Sequence, residues 1–298
     1  MHEFLWLRLQ QISYLTTKWD EITMQNLKMM AVLAHPDDES LGVGGTLAKY
    51  AAEGVEVFLL TATRGDRGRY RGFRIEEPQH PGPSKLADIR EAELRAAATV
   101  LGVREVSLLD FHDQHLDRAN PREAIAAIVQ HIRRVKPQVV VTFGPEGAYG
   151  HPDHVAISQF TTAATVAAAD STFRIDGIQA RPPHAVSKLY YIAWSESAWK
   201  AYQAAFRKLI STVDGVDRHA MPWPDWEITT VIDTRSLWST VWRAISCHES
   251  QITAYERLRH LSSEDHEALW GSQSFYRAFS TVNGGRARET DLLEGIRV

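Results

Sequence analysis

Short apolar runs alternate with longer helix-compatible stretches along most of this chain, and this alternation restricts the possible folds more than any other feature. The first run, Met29 to Ala34, precedes a helical stretch that ends at Gly54, and a second run follows from Val55 to Ala62. Glu105 to Leu109 and the apolar residues within 137–143 continue the alternation. Runs of this length that are rich in β-branched side chains are typical of buried strands. The alternation predicts an α/β fold with a Rossmann-like, doubly wound, mainly parallel sheet and helices on both faces.

Four stretches between and after these runs are compatible with helices. They are Ser40 to Glu53, Ser84 to Leu101, Pro121 to Val135, and a stretch that begins near His154. Gly54 and Gly102 follow the first two stretches, where glycine commonly terminates a helix, and Pro121 occupies a favoured first helical position. Two further strands are predicted at Lys188 to Ala193 and at Glu227 to Asp233.

Residues 1–27 differ from the rest and are interpreted as an N-terminal extension. Apolar residues recur at roughly helical spacing between Leu5 and Ile22, which is compatible with a helix packed on the body. Met24 and Met29 also allow a start that lies downstream of the printed one. We expect residues 28–298 to form a single domain.

The charge balance and the cysteine content limit the partners and the compartment. The chain has 33 basic and 37 acidic side chains, and its net charge of −4 offers no general attraction to nucleic acid or acidic lipid. No apolar run approaches the about 20 residues that a membrane-spanning helix needs. Cys247 is the single cysteine, so an internal disulfide is excluded. Because the N-terminus also lacks a secretory signal pattern, we expect a cytoplasmic protein. The sequence is compatible with a homo-oligomer and does not decide the oligomeric state.

Two clusters of potential metal ligands follow the first and fourth predicted strands. The first cluster is His35-Pro36-Asp37-Asp38-Glu39, and the second is Tyr149-Gly150-His151-Pro152-Asp153-His154. In the doubly wound strand order 3-2-1-4, the carboxyl ends of these two strands are neighbours, at the point where such sheets bind ligands. Each motif alone would also suit a helix cap or a hydrogen-bonded structural histidine. Together, on loops that are predicted to meet, they favour a zinc site with three protein ligands and a position open to water.

These motifs resemble the paired signature of the LmbE/PIG-L de-N-acetylases, which are Rossmann-like zinc enzymes acting on N-acetylglucosamine conjugates. Ala34 to Glu39 is similar to the first part of that signature, and His151 to His154 to the second. The resemblance extends over residues 28–298 through three further segments: Arg90 to Leu94, His248 to Gln251 and Glu289 to Gly295.

The resemblance implies a hydrolase that removes an N-acetyl or other N-acyl group from a glucosamine-containing conjugate. By position, His35, Asp38 and His154 would be the ligands of one zinc ion, in a site that also accepts Fe²⁺ or Co²⁺. Asp37 would be the general base that takes a proton from the attacking water. A carboxylate suits this role because zinc lowers the pKa of water to about 7.

The resemblance also implies groups that stabilise the oxyanion. His151 would act as an imidazolium, with Asp153 as the carboxylate that keeps it charged and oriented. The hydroxyl of Tyr149 would reach the same oxygen. Removal of one such donor typically costs about 2.7–4 kcal/mol of transition-state stabilisation.

Four residues are candidates for binding the substrate: Arg64, Asp66, Asp113 and His248. Arg64 is expected to contact sugar hydroxyls or an anionic aglycone, and Asp113 a sugar hydroxyl. The family has a Gly-Glu pair after the second strand, whereas this chain has Gly65-Asp66. This departure by one methylene leaves the role of Asp66 open.

Several other functions are also consistent with these sequence features. The same site would serve an amidase of thiol–sugar conjugates or a deacylase that tailors an antibiotic. A zinc-bearing sugar-binding protein is the non-enzymatic alternative. The arginine-rich loop after the second strand raises the question of RNA contact, which the net charge disfavours. Trp223 and Trp226 suit either stacking on a sugar or packing, and packing is favoured.

Overall fold

Nine strands and seven longer helices follow one another in the computed structural model, which describes residues 27–174, 181–206, 210–213, 215–251, 253 and 256–297. The strands are β1 (Lys28–Leu33), β2 (Glu56–Thr63), β3 (Glu105–Phe111), β4 (Val139–Phe143), β5 (Lys188–Ile192), β6 (Ile210–Val213), β7 (Val216–His219), β8 (Thr230–Asp233) and β9 (Ser272–Ser280). The helices are α1 (Asp38–Ala52), α2 (Pro83–Val100), α3 (Pro121–Val135), α4 (Pro152–Ala169), α5 (Glu196–Phe206), α6 (Trp238–Ser246) and α7 (Ser263–Trp270). The predicted helix within residues 1–27 falls almost wholly outside the described residues.

Seven of the strands form one sheet in the order β3-β2-β1-β4-β5-β9-β8. The five strands from β3 to β5 pair in parallel, so the predicted order 3-2-1-4 and the α/β class are confirmed. The pairs β5–β9 and β9–β8 are antiparallel. The sequence did not predict β9, because Ser272–Ser280 alternates serine with other residue types and lacks the continuous apolar run of a central strand.

The core lies on both faces of the parallel part of the sheet. All residues from Met29 to Ala34, in β1 and directly after it, are buried. Val139–Val141 of the neighbouring strand β4 are buried as well. Strands that are covered on both faces need apolar side chains at every position, which explains why these runs do not alternate. Within the described residues, no helix is both long enough and apolar enough to cross a membrane.

A buried ion pair joins the middle of the sheet to the C-terminal segment. Lys188 Nζ lies 2.7 Å from Glu289 Oε1, and both residues are almost fully buried. Glu289 also accepts hydrogen bonds from Tyr190, Thr230 and Arg277 at 2.7–2.8 Å. Asn283 donates to it as well, so donors from three strands and one loop converge on this one carboxylate.

Glu289→Gln is expected to lower the free energy of unfolding by about 3–5 kcal/mol, because it leaves the Lys188 ammonium buried without its counter-charge. Urea unfolding at pH 7 measures this loss. The control is Glu53→Gln, which breaks a half-exposed pair with Lys49 and Arg297. A surface pair of this kind contributes about 0–1 kcal/mol.

The same carboxylate predicts how stability depends on pH. Burial would raise the pKa of Glu289, but hydrogen bonds from Lys188 and Tyr190 outweigh burial and lower it to about 2. A carboxylate with a depressed pKa contributes stability that is fully present above its ordinary pKa and is lost as the pH falls toward about 2. Glu289→Gln should therefore lack this part of the acid destabilisation. An acid-unfolding curve parallel to that of the wild type would contradict this assignment.

Candidate metal centre

The two ligand clusters meet at the carboxyl edge of the sheet, as predicted. His35 and Asp38 follow β1, and His154 lies in the first turn of α4 after β4. β1 and β4 are paired neighbours, with Met29 opposite Val139. Their exits therefore bring together side chains that are 119 residues apart in sequence.

Three side chains, which we call the ligand triangle, bring potential ligand atoms close together. His35 Nδ1 lies 3.2 Å from His154 Nε2, Asp38 Oδ1 lies 3.4 Å from His154 Nε2, and the other carboxylate oxygen, Asp38 Oδ2, lies 3.7 Å from His35 Nδ1. Tetrahedral coordination at about 2.0–2.2 Å places neighbouring ligand atoms about 3.3–3.6 Å apart. The spacing and the mixture of two imidazoles and one carboxylate therefore fit a divalent metal ion. Phe143 stacks on the His154 ring at 4.0 Å and fixes its plane.

The far nitrogen of His35 is held by two carboxylates. His35 Nε2 lies 3.0 Å from Asp153 Oδ2 and 3.3 Å from Asp113 Oδ1. Burial would lower the pKa of His35, but these hydrogen bonds raise it well above its ordinary value. Carboxylates placed in this way keep the proton on Nε2 and direct Nδ1 toward a metal. His35, Asp113 and Asp153 also form a compact group by themselves.

This arrangement gives two predicted site residues other partners than expected. Asp113 is buried and accepts from the backbone N–H of Arg67 at 2.9 Å as well as facing His35. Its contact with a sugar hydroxyl stays a prediction. Asp153 was expected to partner His151, but its oxygens accept from His35 and from the backbone N–H groups of Gln114 and Leu116.

His151 also differs from expectation. Its Nδ1 accepts a hydrogen bond from the backbone N–H of Asp153 at 3.2 Å and so caps α4. Burial, followed by interactions with the neighbouring imidazole rings, lowers the pKa of His151, whereas an imidazolium was expected. A neutral ring that accepts at Nδ1 carries its proton on Nε2, from which it can still donate.

The two candidate oxyanion donors are more accessible than the candidate metal ligands. His35, Asp38 and His154 are buried. Tyr149 and His151 are partly exposed, with the Tyr149 ring 5.3 Å from that of His154 and 6.0 Å from that of His151. Burial, together with the nearby acidic charges, raises the pKa of Tyr149, so its hydroxyl remains a proton donor.

Asp37 occupies a strained backbone conformation. Its φ of 102° and ψ of −25° lie in the left-handed region, which costs a residue other than glycine about 1–3 kcal/mol. Its backbone N–H donates to Glu39 Oε2 at 2.9 Å, and its Oδ2 accepts from Arg90 Nη2 at 3.2 Å. Its side chain is 14% exposed. The surrounding contacts therefore fix Asp37 beside the ligand triangle while leaving it partly accessible.

Arg90 is a site residue that the sequence analysis did not identify. It is buried, and besides Asp37 its guanidinium donates to the carbonyl oxygens of Pro36 and Gly65. A signal for it exists in the sequence. In α2, Arg90 shares the buried stripe with Leu86 and Leu94, at a spacing of four residues where an apolar side chain would be expected.

His248 lies below the site instead of facing a substrate. It is fully buried, and its Nε2 bonds to Glu39 Oε1 at 2.8 Å. Glu39 in turn accepts the N–H of Asp37, so His248 supports the Asp37 turn through Glu39. Its burial gives His248 a supporting position in this structure, and the expected contact with substrate stays a prediction.

The two remaining substrate candidates lie on the loop after β2. Arg64 forms ion pairs with Glu91 and Asp110, which occupy much of its guanidinium. Asp66 is partly exposed on the same loop, and its role stays a prediction.

The chain is similar to a known protein family and to enzymes within it. A family model described as PIG-L, GlcNAc-PI de-N-acetylase, matches residues 30–165, which include both ligand clusters. The 1D-myo-inositol 2-acetamido-2-deoxy-alpha-D-glucopyranoside deacetylase of Kineococcus radiotolerans is 35% identical, over 91% of this chain and 84% of that protein.

Two solved structures share the fold at lower sequence identity. The N,N'-diacetylchitobiose deacetylase of Pyrococcus horikoshii is 21% identical with a TM-score of 0.62, over 84% of this chain and 83% of that one. GalB, the 4-carboxy-2-hydroxymuconate hydratase of Pseudomonas putida, is 19% identical with a TM-score of 0.62, over 88% of this chain and 100% of that one. Since one is a deacetylase and the other a hydratase, the fold alone does not select the reaction.

Proposed function

This chain belongs to the PIG-L/LmbE family of de-N-acetylases, and from that premise we propose that it removes the acetyl group from a glucosamine unit linked to a cyclitol such as inositol. Family membership assigns it to the hydrolases of N-acetyl amide bonds. The inositol aglycone is suggested by the Kineococcus radiotolerans relative, whose name gives a 2-acetamido-2-deoxyglucopyranosyl inositol as its substrate. We further propose that residues 28–298 form one catalytic domain.

His35, Asp38 and His154 are the residues that would hold the metal, and zinc is the proposed ion. The donor triangle with edges of 3.2–3.7 Å supports this assignment. When bound at such a site, zinc polarises a carbonyl group and acidifies water. Iron and cobalt remain chemically compatible with the same donors.

Asp37 is the proposed general base. As the water oxygen forms its bond to the amide carbonyl carbon, one proton moves from the water to the Asp37 carboxylate. Arg90 and Glu39 hold this residue in its strained turn, so its position does not depend on substrate. When the carbon–nitrogen bond breaks, the nitrogen takes up the proton held by Asp37. The products are acetate and the free amine.

Tyr149 and His151 are the proposed oxyanion donors. The Tyr149 hydroxyl stays protonated, and His151 offers Nε2–H because its Nδ1 accepts from the backbone. Each donor stabilises charge that develops on the carbonyl oxygen, and such donors typically contribute about 2.7–4 kcal/mol. In this proposal Asp153 orients His35 and not His151.

The observation that carries the proposal is the placement of Asp37, Tyr149 and His151, all partly exposed, around a buried set of metal ligands. The test is release of primary amine from N-acetylglucosamine conjugates with inositol, malate, lipid and antibiotic aglycones. Metal-stripped protein and protein with zinc restored are compared. Zinc-dependent release, greatest with inositol, supports the proposal. Release only from an antibiotic or thiol–sugar conjugate would reassign the substrate, and sugar binding without any release would indicate a binding protein.

Arg90→Met is expected to lower kcat by about 10- to 100-fold, because small displacements of a catalytic group cost up to about 10²-fold in rate. KM and metal content should change little, since Arg90 does not belong to the ligand triangle. Arg90→Lys should recover only part of kcat, because one ammonium cannot span the three acceptors that a planar guanidinium reaches. The measurements are steady-state kinetics and metal analysis of each variant.

The matched control is Arg95→Met, on the same helix but 51% exposed and paired with Glu91. It should behave as the wild type. A normal kcat in Arg90→Met, or the same loss in Arg95→Met, would remove Arg90 from the positioning role.

A further inference from the structure

A second cavity borders the loop that carries the proposed oxyanion donors. It has a volume of about 1010 Å³, within the usual range for small-molecule sites. We call it the distal groove and define it by six of its lining residues: Pro145, Tyr191, Trp223, Trp226, Tyr276 and Arg286. None of these belongs to the metal centre described above.

The floor of the distal groove is aromatic and rigid. Tyr191 and Tyr276 come from the paired strands β5 and β9 and stack with ring centroids 6.3 Å apart. Trp223 lies against Tyr276 at 5.3 Å, and its indole N–H donates to Glu146 Oε1 at 2.9 Å. Its backbone N–H is also bonded, to the carbonyl of Trp194 at 2.8 Å. Trp223 is therefore a fixed wall of the groove, in keeping with the packing role favoured from the sequence.

Trp226 differs from Trp223. Its side chain is 82% exposed, beside the cavity and not within the core. Aromatic side chains are usually largely buried because they present a large apolar area. The exposed rim also carries Asp225, Arg286 and Arg288, and Arg288 donates to the Asp225 carbonyl at 2.8 Å. The groove thus combines aromatic faces with charged hydrogen-bonding groups around its edge.

This combination suits a polyhydroxylated ring. One face of a sugar or cyclitol presents mainly C–H groups, which pack on aromatic rings, while its hydroxyl groups point outward toward donors and acceptors. Arginine and carboxylate groups on the rim satisfy those hydroxyls. A purely apolar ligand would leave the rim groups unused, and a polyanion would face the carboxylate of Asp225.

One wall of the distal groove is joined to the reaction centre by a short stretch of chain. Pro145 lines it, and Tyr149 follows four residues later on the same loop. Four residues span at most about 14 Å. An extended conjugate of two or three rings covers such a distance.

We propose that the distal groove binds a second polyol ring, sugar or cyclitol, of the same substrate molecule whose N-acetylglucosamine occupies the metal centre. This inference rests on the proposed function, because it assigns the far end of that substrate. It makes Trp226 and Arg286 specificity residues that act on ring-bearing aglycones.

The test compares Trp226→Ala and Arg286→Ala with the wild type on two substrates. One is the methyl glycoside of N-acetylglucosamine, which lacks a second ring, and the other is N-acetylglucosaminyl inositol. Each variant should lower kcat/KM for the inositol conjugate by about five- to tenfold, mainly through KM, as expected for loss of one ring contact. For the methyl glycoside, kcat/KM should stay within about twofold. Val166→Ala, at another exposed apolar residue, on α4, is the control and should affect neither substrate.

Equal losses on both substrates, or no loss on either, would overturn the groove assignment while leaving the deacetylase proposal intact. If the wild type releases no amine from any conjugate, the deacetylase proposal fails. The groove assignment is then tested by direct binding of a ligand. Glucosaminyl inositol is then titrated against tryptophan fluorescence. A fluorescence change that saturates in the wild type, with a dissociation constant at least fivefold higher in Arg286→Ala, supports the groove assignment. Equal dissociation constants in the two proteins overturn it.

Discussion

Replacing Asp37 with alanine is expected to leave about one metal ion per chain and to lower kcat by about 10²–10⁴-fold, the usual contribution of a positioned general base. The metal should remain because His35, Asp38 and His154 keep their 3.2–3.7 Å triangle without Asp37. The rate should fall because no other carboxylate of the ligand turn is accessible: Asp38 faces the histidines and Glu39 is buried. Metal analysis and steady-state kinetics on the same preparations check both parts.

Three companion variants separate chemistry from folding. Asp37→Asn keeps the size of the side chain and should be as inactive as Asp37→Ala. Asp37→Gly should also be inactive but about 1 kcal/mol more stable than Asp37→Ala, because glycine tolerates a φ of 102°. Asp88→Ala, at an exposed position on α2, should retain wild-type activity. Full turnover in Asp37→Ala would show that another group is the base.

His154→Ala is expected to abolish metal retention and, with it, activity. The substitution removes one of three ligands and the ring that links the α4 side of the site to the β1 side. Metal content after gel filtration should fall from about one to below about a tenth per chain. Zinc should raise the melting temperature of the wild type, since a ligand that binds only the folded state stabilises it, and should have no such effect on the variant.

His112→Ala is the control for that experiment, because His112 is an exposed histidine on the loop after β3. It should retain its metal and its zinc-dependent stabilisation. Metal binding at full stoichiometry in His154→Ala would instead favour His35, Asp113 and Asp153 as the metal ligands, because that group does not include His154.

The sequence predicted the sheet because continuous apolar runs, a local pattern, identified β1 to β4. Ligand types at two strand exits predicted where a metal site lies, whereas the particular set His35, Asp38 and His154 came from the resemblance to the family and stays a prediction. β9 was missed because its neighbours, not its composition, make it a strand. Its pairing with β5 is antiparallel and links segments about 80 residues apart, which local periodicity does not report.

The supporting residues of the site were predicted less well, because a motif gives residue types and not their burial. Asp113 and His248 were expected to contact substrate, yet both are buried and hold other site residues. Arg64 was expected to contact the substrate, and in the structure its guanidinium pairs with Glu91 and Asp110. The role of Arg90 requires that α2 and the β1 exit be adjacent, which only the tertiary structure reveals. The shared fold of a deacetylase and a hydratase shows equally that the site, and not the fold, carries the functional argument.

The insertion of β9 between β5 and β8 affects how the protein is made on the ribosome. Lys188 is synthesised 101 residues before Glu289, and β8 leaves the ribosome before the strand that joins it to the sheet. At about 5–20 residues per second, the nascent chain carries an unpaired β5 edge and an uncompensated lysine for about 5–20 s. An open strand edge is a template for association with other chains. We therefore expect nascent chains stalled before residue 272 to be bound by chaperones, and release to follow once Glu289 has emerged.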